Sequence, residues 1–119
     1  MSRDYIPLVK KDETSKVFLK NIILIEQELR KSMIYTDKEK FWLYSKIDTL
    51  MQYLDSRFLK CHQSYIINLD KVVKMKSQTI FFENGQKIFI GREKFQSTRQ
   101  YYASYIIHAQ KNLAKSPGM

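Results

Sequence analysis

The sequence contains few of the residues that cross-link or interrupt a chain. Its 119 residues include one cysteine, two prolines and three glycines. One cysteine cannot form an intramolecular disulfide, which excludes a disulfide-stapled scaffold. Three glycines leave little room for a phosphate-binding glycine loop, and so few glycines and prolines argue against linkers between domains. Because the length is usual for one domain, we expect a single domain over residues 1–119.

Long apolar runs are missing as well. No segment approaches the ~20 apolar residues that a membrane-spanning helix needs, and the N-terminus lacks the apolar stretch of a signal peptide. The hydrophobic fraction of 44% nevertheless excludes a disordered chain and suffices for one core. We therefore expect a folded cytoplasmic protein that does not enter a membrane.

Acidic residues are in deficit. The chain has twelve aspartates and glutamates and twenty-one lysines and arginines, which gives a net charge of +9. Residues 1–60 carry +3 and residues 61–119 carry +6, so the excess is concentrated in the second half. A basic domain of this size attracts polyanions such as DNA, RNA or an acidic lipid surface. Some soluble domains are basic without such a partner, so the choice depends on motifs.

The apolar pattern is mostly that of β-strands. A turn is expected at residues 10–15, and a polar segment at 26–31 has Leu29 as its only apolar member. A second turn is expected at 62–64, between two apolar segments. Runs of β-branched and aromatic residues predict strands at residues 17–19, 22–25, 32–36, 40–44, 79–83 and 86–90.

Two segments have helical periodicity. Apolar residues recur three and four apart in residues 45–54, which predicts a short helix with Ser45 as its N-cap. From Glu93 the spacing is again helical, which predicts a longer C-terminal helix over about 93–112 and a frayed tail at 113–119. Asn84-Gly85 lies between two apolar strands and predicts a two-residue type I′ turn.

The cluster Lys60-Cys61-His62-Gln63-Ser64 contains the only cysteine and one of two histidines. Zinc needs about four ligands, which the chain cannot supply in a recurring spacing, so we expect no metal and no other cofactor. His62 lies on the opposite side of an extended chain from Cys61, and His108 in the late helix could act as its base only by coincidence of folding, so we expect no enzyme. Cys61 is then a small buried apolar residue, or secondarily a redox-sensitive thiol.

Basic and amide side chains occur at three strand ends. They are Lys60 to Ser64, Arg30-Lys31 after an earlier strand, and Arg92 directly after a later one. Lysine contacts phosphates, glutamine can pair with an adenine edge, and arginine reads guanine. This distribution favours a nucleic-acid-binding surface over a set of plain solvated bends.

Two segments, FLKCHQSYIINLDKVVKM and IFFENGQKIFIGREKF, resemble the core of the LytTR DNA-binding domain family. That family has a Phe-x-Arg/Lys-x-His-x-Ser-Tyr-hydrophobic-hydrophobic-Asn block, followed by a hairpin and a small residue before an arginine. The resemblance covers roughly residues 16–94. The positions that match are Phe58, Lys60, His62, Ser64, Tyr65, Asn68 and Arg92.

The resemblance implies a mainly β fold of small, elongated antiparallel sheets with short helices, to which this chain adds a longer C-terminal helix. It also implies that loops enter successive major grooves of double-stranded promoter DNA. His62 and Gln63 then belong to one base-reading loop and Arg92 to the other, whereas Asn68 is structural. The complete set of predicted DNA-binding residues is Lys31, Ser32, Lys60, His62, Gln63, Ser64, Arg92 and Lys94.

The expected function is therefore that of a sequence-specific bacterial transcription regulator, with a homodimer on repeated half-sites or another response regulator as further partners. Gln63 stands where the family usually has Arg, Lys or Asn, and Gly91 where it usually has Ser, which affects the base preference. No receiver domain precedes residue 16, so a stand-alone domain is expected. The alternatives are a protein-interaction module that modulates a full-length LytTR response regulator, and RNA binding through exposed aromatics.

Overall fold

The computed structural model describes residues 4–114, and the side chains as far as residue 110. Within these residues the chain forms ten strands, two α-helices and three short 3-10 turns. The strands are β1 Tyr5–Val9, β2 Thr14–Phe18, β3 Ile22–Glu28, β4 Lys31–Thr36, β5 Lys40–Tyr44, β6 Phe58–His62, β7 Tyr65–Asn68, β8 Val72–Lys76, β9 Thr79–Phe82 and β10 Lys87–Phe89. The helices are α1 Ile47–Leu50 and α2 Arg92–Ala114.

The strands form three antiparallel sheets. The largest has five strands in the order β5-β4-β3-β7-β6, and the others are β10-β9-β8 and β1-β2. The principal dimensions are 49, 38 and 24 Å. The predicted fold class, mainly β with an added C-terminal helix, is therefore confirmed.

The centre of the five-stranded sheet is covered on both faces. Four consecutive residues of β3, from Ile22 to Ile25, are all buried. Ile22 and Ile25 belong to the core on one face, whereas Ile23 and Leu24 belong to the core on the other. A strand that is buried on both faces reads as a continuous apolar run, which explains this segment of the sequence.

Each face of the large sheet is covered by different elements. On one face the hairpin β1–β2 and α1 supply Ile6, Leu8, Val17 and Ile47. On the other face the sheet β8–β10, the segment that follows it and the start of α2 supply Val72, Ile80, Phe82, Ile88, Ile90 and Phe95. The packed core therefore extends beyond residues 16–94 at both ends, and it fixes the strand ends relative to one another.

Helix α2 is anchored to the sheet by tyrosines. The Tyr102 hydroxyl donates to the Val72 carbonyl at 2.7 Å, and the Tyr105 hydroxyl donates to Asp70 at 2.7 Å. Beyond these contacts Ile106 and Ile107 are exposed. The helix continues to Ala114, two residues further than predicted, and residues 115–119 of the predicted tail lie outside the described residues.

The Asn84-Gly85 turn differs from the prediction. Only Gly85 has a positive φ, of +94°, and the Phe82 amide donates to the Gln86 carbonyl at 2.9 Å across a three-residue loop. This is a type I turn closed by a left-handed glycine, and the Asn84 side chain supports it by accepting from Gln86 N at 3.0 Å. Both residues of the Ser77-Gln78 turn have a positive φ, as a type I′ turn requires.

The predicted N-cap of the first helix is also wrong. Helix α1 begins at Ile47, and Lys46 before it makes no side-chain capping bond. Instead the Ile47 amide donates to Oε1 of Gln27 at 2.8 Å. The Ser45 hydroxyl lies 3.2 Å from that of Ser32. Gln27, twenty positions earlier in the sequence, thus accepts the first backbone amide of the helix.

Within the part of the chain that the structure describes, no helix is both long and apolar enough to cross a membrane.

Candidate nucleic-acid interface

Two turns lie side by side at one end of the five-stranded sheet. The β3–β4 turn consists of Leu29 and Arg30, and the β6–β7 turn consists of Gln63 and Ser64. Strands β3 and β7 are hydrogen-bonded neighbours. The Gln27 amide, just before the first turn, donates to the Ser64 carbonyl at 2.8 Å. The two turns therefore project from adjacent positions.

The start of α2 lies at the same end. Lys60 and Cys61 of β6 and Glu93 and Lys94 of α2 line one cleft of about 380 Å³. Tyr105, three turns further along α2, bonds to Asp70, which follows the far end of β7. Helix α2 thus runs from the β6–β7 turn toward the opposite end of these strands. We refer to residues 29–31, 60–64 and 92–94 together as the basic end.

The β6–β7 turn presents hydrogen-bonding groups outward. The Ser64 amide donates to Nδ1 of His62 at 3.0 Å. Because Nδ1 accepts this bond, the proton of the neutral ring is on Nε2, which is left as a donor. The His62 ring packs against Tyr65 with ring centres 5.4 Å apart, and Gln63 is exposed. The turn therefore offers an imidazole donor beside an amide that can both donate and accept.

The α2 side of the basic end carries two cations. Arg92 and Lys94 are exposed, and Glu93, which separates them in the sequence, is exposed as well. The Gly91 carbonyl accepts the Phe95 amide at 2.8 Å, so Gly91 stands at the helix start. A Cβ on Gly91 would meet nothing within 4 Å, so a serine, which the resemblance implies at this position, would fit there.

Lys31 is at the surface of the basic end and Ser32 is not. The Lys31 ammonium lies 4.4 Å from the centre of the Trp42 ring, and the Lys10 ammonium lies 3.8 Å from the same ring centre. Ser32 is completely buried, and its hydroxyl donates to the Ser45 carbonyl at 2.8 Å. The prediction that Ser32 binds DNA is therefore wrong. Neighbouring strand residues point to opposite faces, so an outward Lys31 places Ser32 inside.

Lys60 already has a partner. Its ammonium forms an ion pair with Asp48, whose side chain is 68% exposed. Exposed ion pairs of this kind contribute little free energy, since water screens them. Lys60 can therefore exchange Asp48 for another anion at small cost.

Gln27 organises the basic end, although no sequence motif includes it. Its Nε2 donates to the carbonyl oxygens of Leu29 and Lys31 at 2.9 and 3.2 Å. Its Oε1 accepts from Ile47, and its backbone amide binds Ser64. One half-buried glutamine thus joins the β3–β4 turn, the β6–β7 turn and α1. No local pattern marks it, because two of these partners are distant in sequence.

The surroundings of Cys61 do not favour a reactive thiol. The side chain is buried, and burial raises the pKa of its thiol to about 12. Among the described residues, no three His, Cys, Asp or Glu side chains are grouped so that they could hold a metal ion.

Cys61 should react slowly with thiol reagents in the folded protein. A pKa of about 12 instead of 9.0 lowers the thiolate fraction about a thousandfold at neutral pH, and the thiolate is the reactive form. We expect the labelling rate to rise about tenfold per pH unit and to become fast on unfolding. If the native protein is labelled as fast as the protein in denaturant, this expectation is wrong, and the result would support a redox-sensor role for Cys61.

A small antiparallel β scaffold with basic and amide side chains gathered at one end is suited to binding a polyanion. The sequence model of the LytTr DNA-binding domain matches residues 12–103, and the chain belongs to this family.

Two relatives from Staphylococcus epidermidis are similar to this chain in sequence. The chain is 27% identical over 90 residues to accessory gene regulator protein A from each of two strains of Staphylococcus epidermidis. The match covers 72% of this chain and 37% of the length of each relative.

A solved structure has the same fold. The LytTr DNA-binding domain of a putative methyl-accepting/DNA response regulator from Bacillus cereus superposes with a TM-score of 0.64 and 18% identity. The superposition covers 88% of this chain and 94% of that one.

Proposed function

We propose that this chain is a sequence-specific transcription regulator that binds promoter DNA in the bacterial cytoplasm through its basic end. The proposal depends mainly on one observation: the β3–β4 turn, the β6–β7 turn and the start of α2 project from the same end of one packed scaffold. Membership of the LytTr DNA-binding domain family supports it.

The residues of the basic end divide by chemistry. His62 and Gln63 offer donors and an acceptor at the tip of a narrow turn, which suits contact with base edges. Arg92 begins a helix and can bind guanine with two hydrogen bonds. Lysines act as point charges, which suits phosphates. We assign Lys31, Lys60 and Lys94 to the phosphates, and Ser64 to holding His62 through its amide.

The turns are narrow enough to enter a groove. The major groove of B-DNA is about 12 Å wide and admits a helix or a two-stranded ribbon. The β6–β7 turn and the start of α2 belong to different elements that are fixed by the same core. We propose that loops of the basic end enter successive major grooves of one duplex, so that the scaffold reads two separate blocks of bases.

Binding should depend steeply on salt. Each neutralised phosphate lowers log K by about 0.9 per tenfold rise in salt. If Lys31, Lys60 and Lys94 each bind one phosphate, replacing any one with alanine should reduce the slope by about 1, at similar cost on all sequences. Fluorescence anisotropy with a labelled duplex over a range of salt concentrations measures this slope.

Lys20 provides the matched control. It is an exposed lysine before the start of β3, at the opposite end of that strand from the β3–β4 turn. Lys20→Ala should leave the slope unchanged. If Lys20→Ala lowers the slope as much as Lys94→Ala does, the basic end is not the DNA-binding surface.

A second candidate role is protein interaction through α2. The family match ends at residue 103, whereas the helix continues to Ala114 and exposes Ile106 and Ile107. Such a surface would suit a second copy of the chain or another response regulator. Sedimentation of the chain alone, and with duplex, separates self-association from DNA binding by a monomer.

A further inference from the structure

The β3–β4 turn carries the most exposed large apolar side chain of the described residues. Leu29 is 94% exposed and lies between the charged residues Glu28 and Arg30. Its φ of +58° is a left-handed conformation that is an outlier for a bulky residue and easy for glycine. The packing of this domain does not explain a leucine at this position.

The turn is held by hydrogen bonds in spite of this backbone conformation. Gln27 Nε2 donates to the carbonyl oxygens of Leu29 and Lys31, at 2.9 and 3.2 Å. The Gln27 amide ties the same segment to Ser64 at 2.8 Å. Leu29 is therefore presented at a fixed position beside the β6–β7 turn. An unfavourable local conformation that the surroundings maintain is a frequent property of functional sites.

The surroundings of Leu29 indicate the chemistry of its partner. Leu29, Arg30, Lys31 and Tyr44 line a concave surface of about 430 Å³, together with the single carboxylate of Glu28. Two cations against one carboxylate favour an anionic partner, and the leucine and tyrosine add apolar surface between them. Duplex DNA offers both properties in its major groove, where phosphates flank the C5-methyl groups of thymine.

We propose that Leu29 contacts a thymine methyl group in the major groove, while Arg30 and Lys31 bind the flanking phosphates. This inference rests on the proposed DNA binding and adds a base preference to it. The position next to the turn favours DNA over an acidic protein segment, because Leu29 is one strand away from the base-reading residue Gln63.

Replacing thymine with uracil tests the contact directly. A duplex selected from random DNA by the full chain is resynthesised with deoxyuridine at one thymidine position at a time, which removes only a methyl group. We expect the wild type to lose about fourfold in affinity at the contacted position, the value of one buried methyl group. Leu29→Gly should bind the unmodified duplex about fourfold more weakly and should not distinguish uracil from thymine there.

Two controls accompany this measurement. Gln63→Ala should remain sensitive to the same uracil, because its own contact is to a different base. Leu29→Gly should melt at or above the wild-type temperature, since glycine accepts the positive φ. Its weaker binding could then not result from unfolding.

The outcomes separate the two proposals. The thymine contact is refuted if the wild type tolerates uracil at every position, or if Leu29→Gly keeps the wild-type sensitivity. If Leu29→Gly also binds the duplex as tightly as the wild type does, Leu29 does not contact DNA and the surface fits an acidic protein segment instead. A wild-type chain that selects no duplex at all refutes the DNA-binding function itself.

Discussion

Replacing Arg92 with alanine should weaken binding to a preferred duplex by about 5- to 150-fold, and binding to random DNA by much less. Arg92 is exposed at the first position of α2, beside the cleft that joins this helix to β6. A bidentate contact from arginine to guanine is worth about 1–3 kcal/mol of discrimination, which corresponds to this range. Competition between the selected duplex and a scrambled duplex measures the difference.

Arg92→Lys separates the charge from the geometry. Lysine keeps the positive charge but cannot form the two parallel hydrogen bonds of a guanidinium. We expect this variant to bind random DNA like the wild type and to lose most of the preference for the selected duplex. Equal losses on both duplexes for Arg92→Ala would mean that Arg92 contacts only phosphate.

Replacing Asn68 with alanine should destabilise the fold by about 2–4 kcal/mol. The side chain is 1% exposed, donates to the Ile22 carbonyl at 2.8 Å and accepts the Asp70 amide at 2.9 Å. Alanine would leave both backbone groups without a partner. A buried unpaired group costs about 1–3 kcal/mol, and the Asp70 amide, which is only partly buried, should cost about 1 kcal/mol. The midpoint of urea unfolding should therefore fall sharply. The prediction that Asn68 is structural is confirmed by this geometry.

Asn84 is the matched control for Asn68. It is an exposed asparagine in the β9–β10 loop whose side chain also accepts a backbone amide, that of Gln86 at 3.0 Å. Water can replace this bond, so Asn84→Ala should cost less than about 1 kcal/mol. A loss for Asn68→Ala no larger than the loss for Asn84→Ala would contradict the structural role assigned to Asn68.

Much of the fold is predictable because its elements have local signals. The apolar run of β3 marks a strand buried on both faces, and the change of period after Gly91 marks α2. The polar residues at 62–64 interrupt an apolar segment and indicate a turn. One regular strand could not place the apolar residues before and after them on a single face. Each of these signals lies within one element, where side-chain period and backbone geometry are directly linked.

The remaining features depend on contacts between elements. Burial of Ser32 follows from its bond to Ser45 across the β4–β5 pair, and the sequence around it is compatible with exposure. The start of α1 is satisfied by Gln27 instead of Ser45. The role proposed for Leu29 can be inferred only when its exposure and backbone angle are known. Tertiary partners of this kind leave no periodic signal in a single sequence.

The most direct test of the account is selection of bound sequences from random duplex DNA with three proteins: the wild type, Gln63→Ala and Arg92→Ala. If the β6–β7 turn and the start of α2 read the same duplex from one end of the scaffold, the wild type will select two separate blocks of fixed bases. Each variant will then relax one block and leave the other unchanged. A wild-type selection without fixed bases, or one whose blocks neither variant alters, would contradict this account.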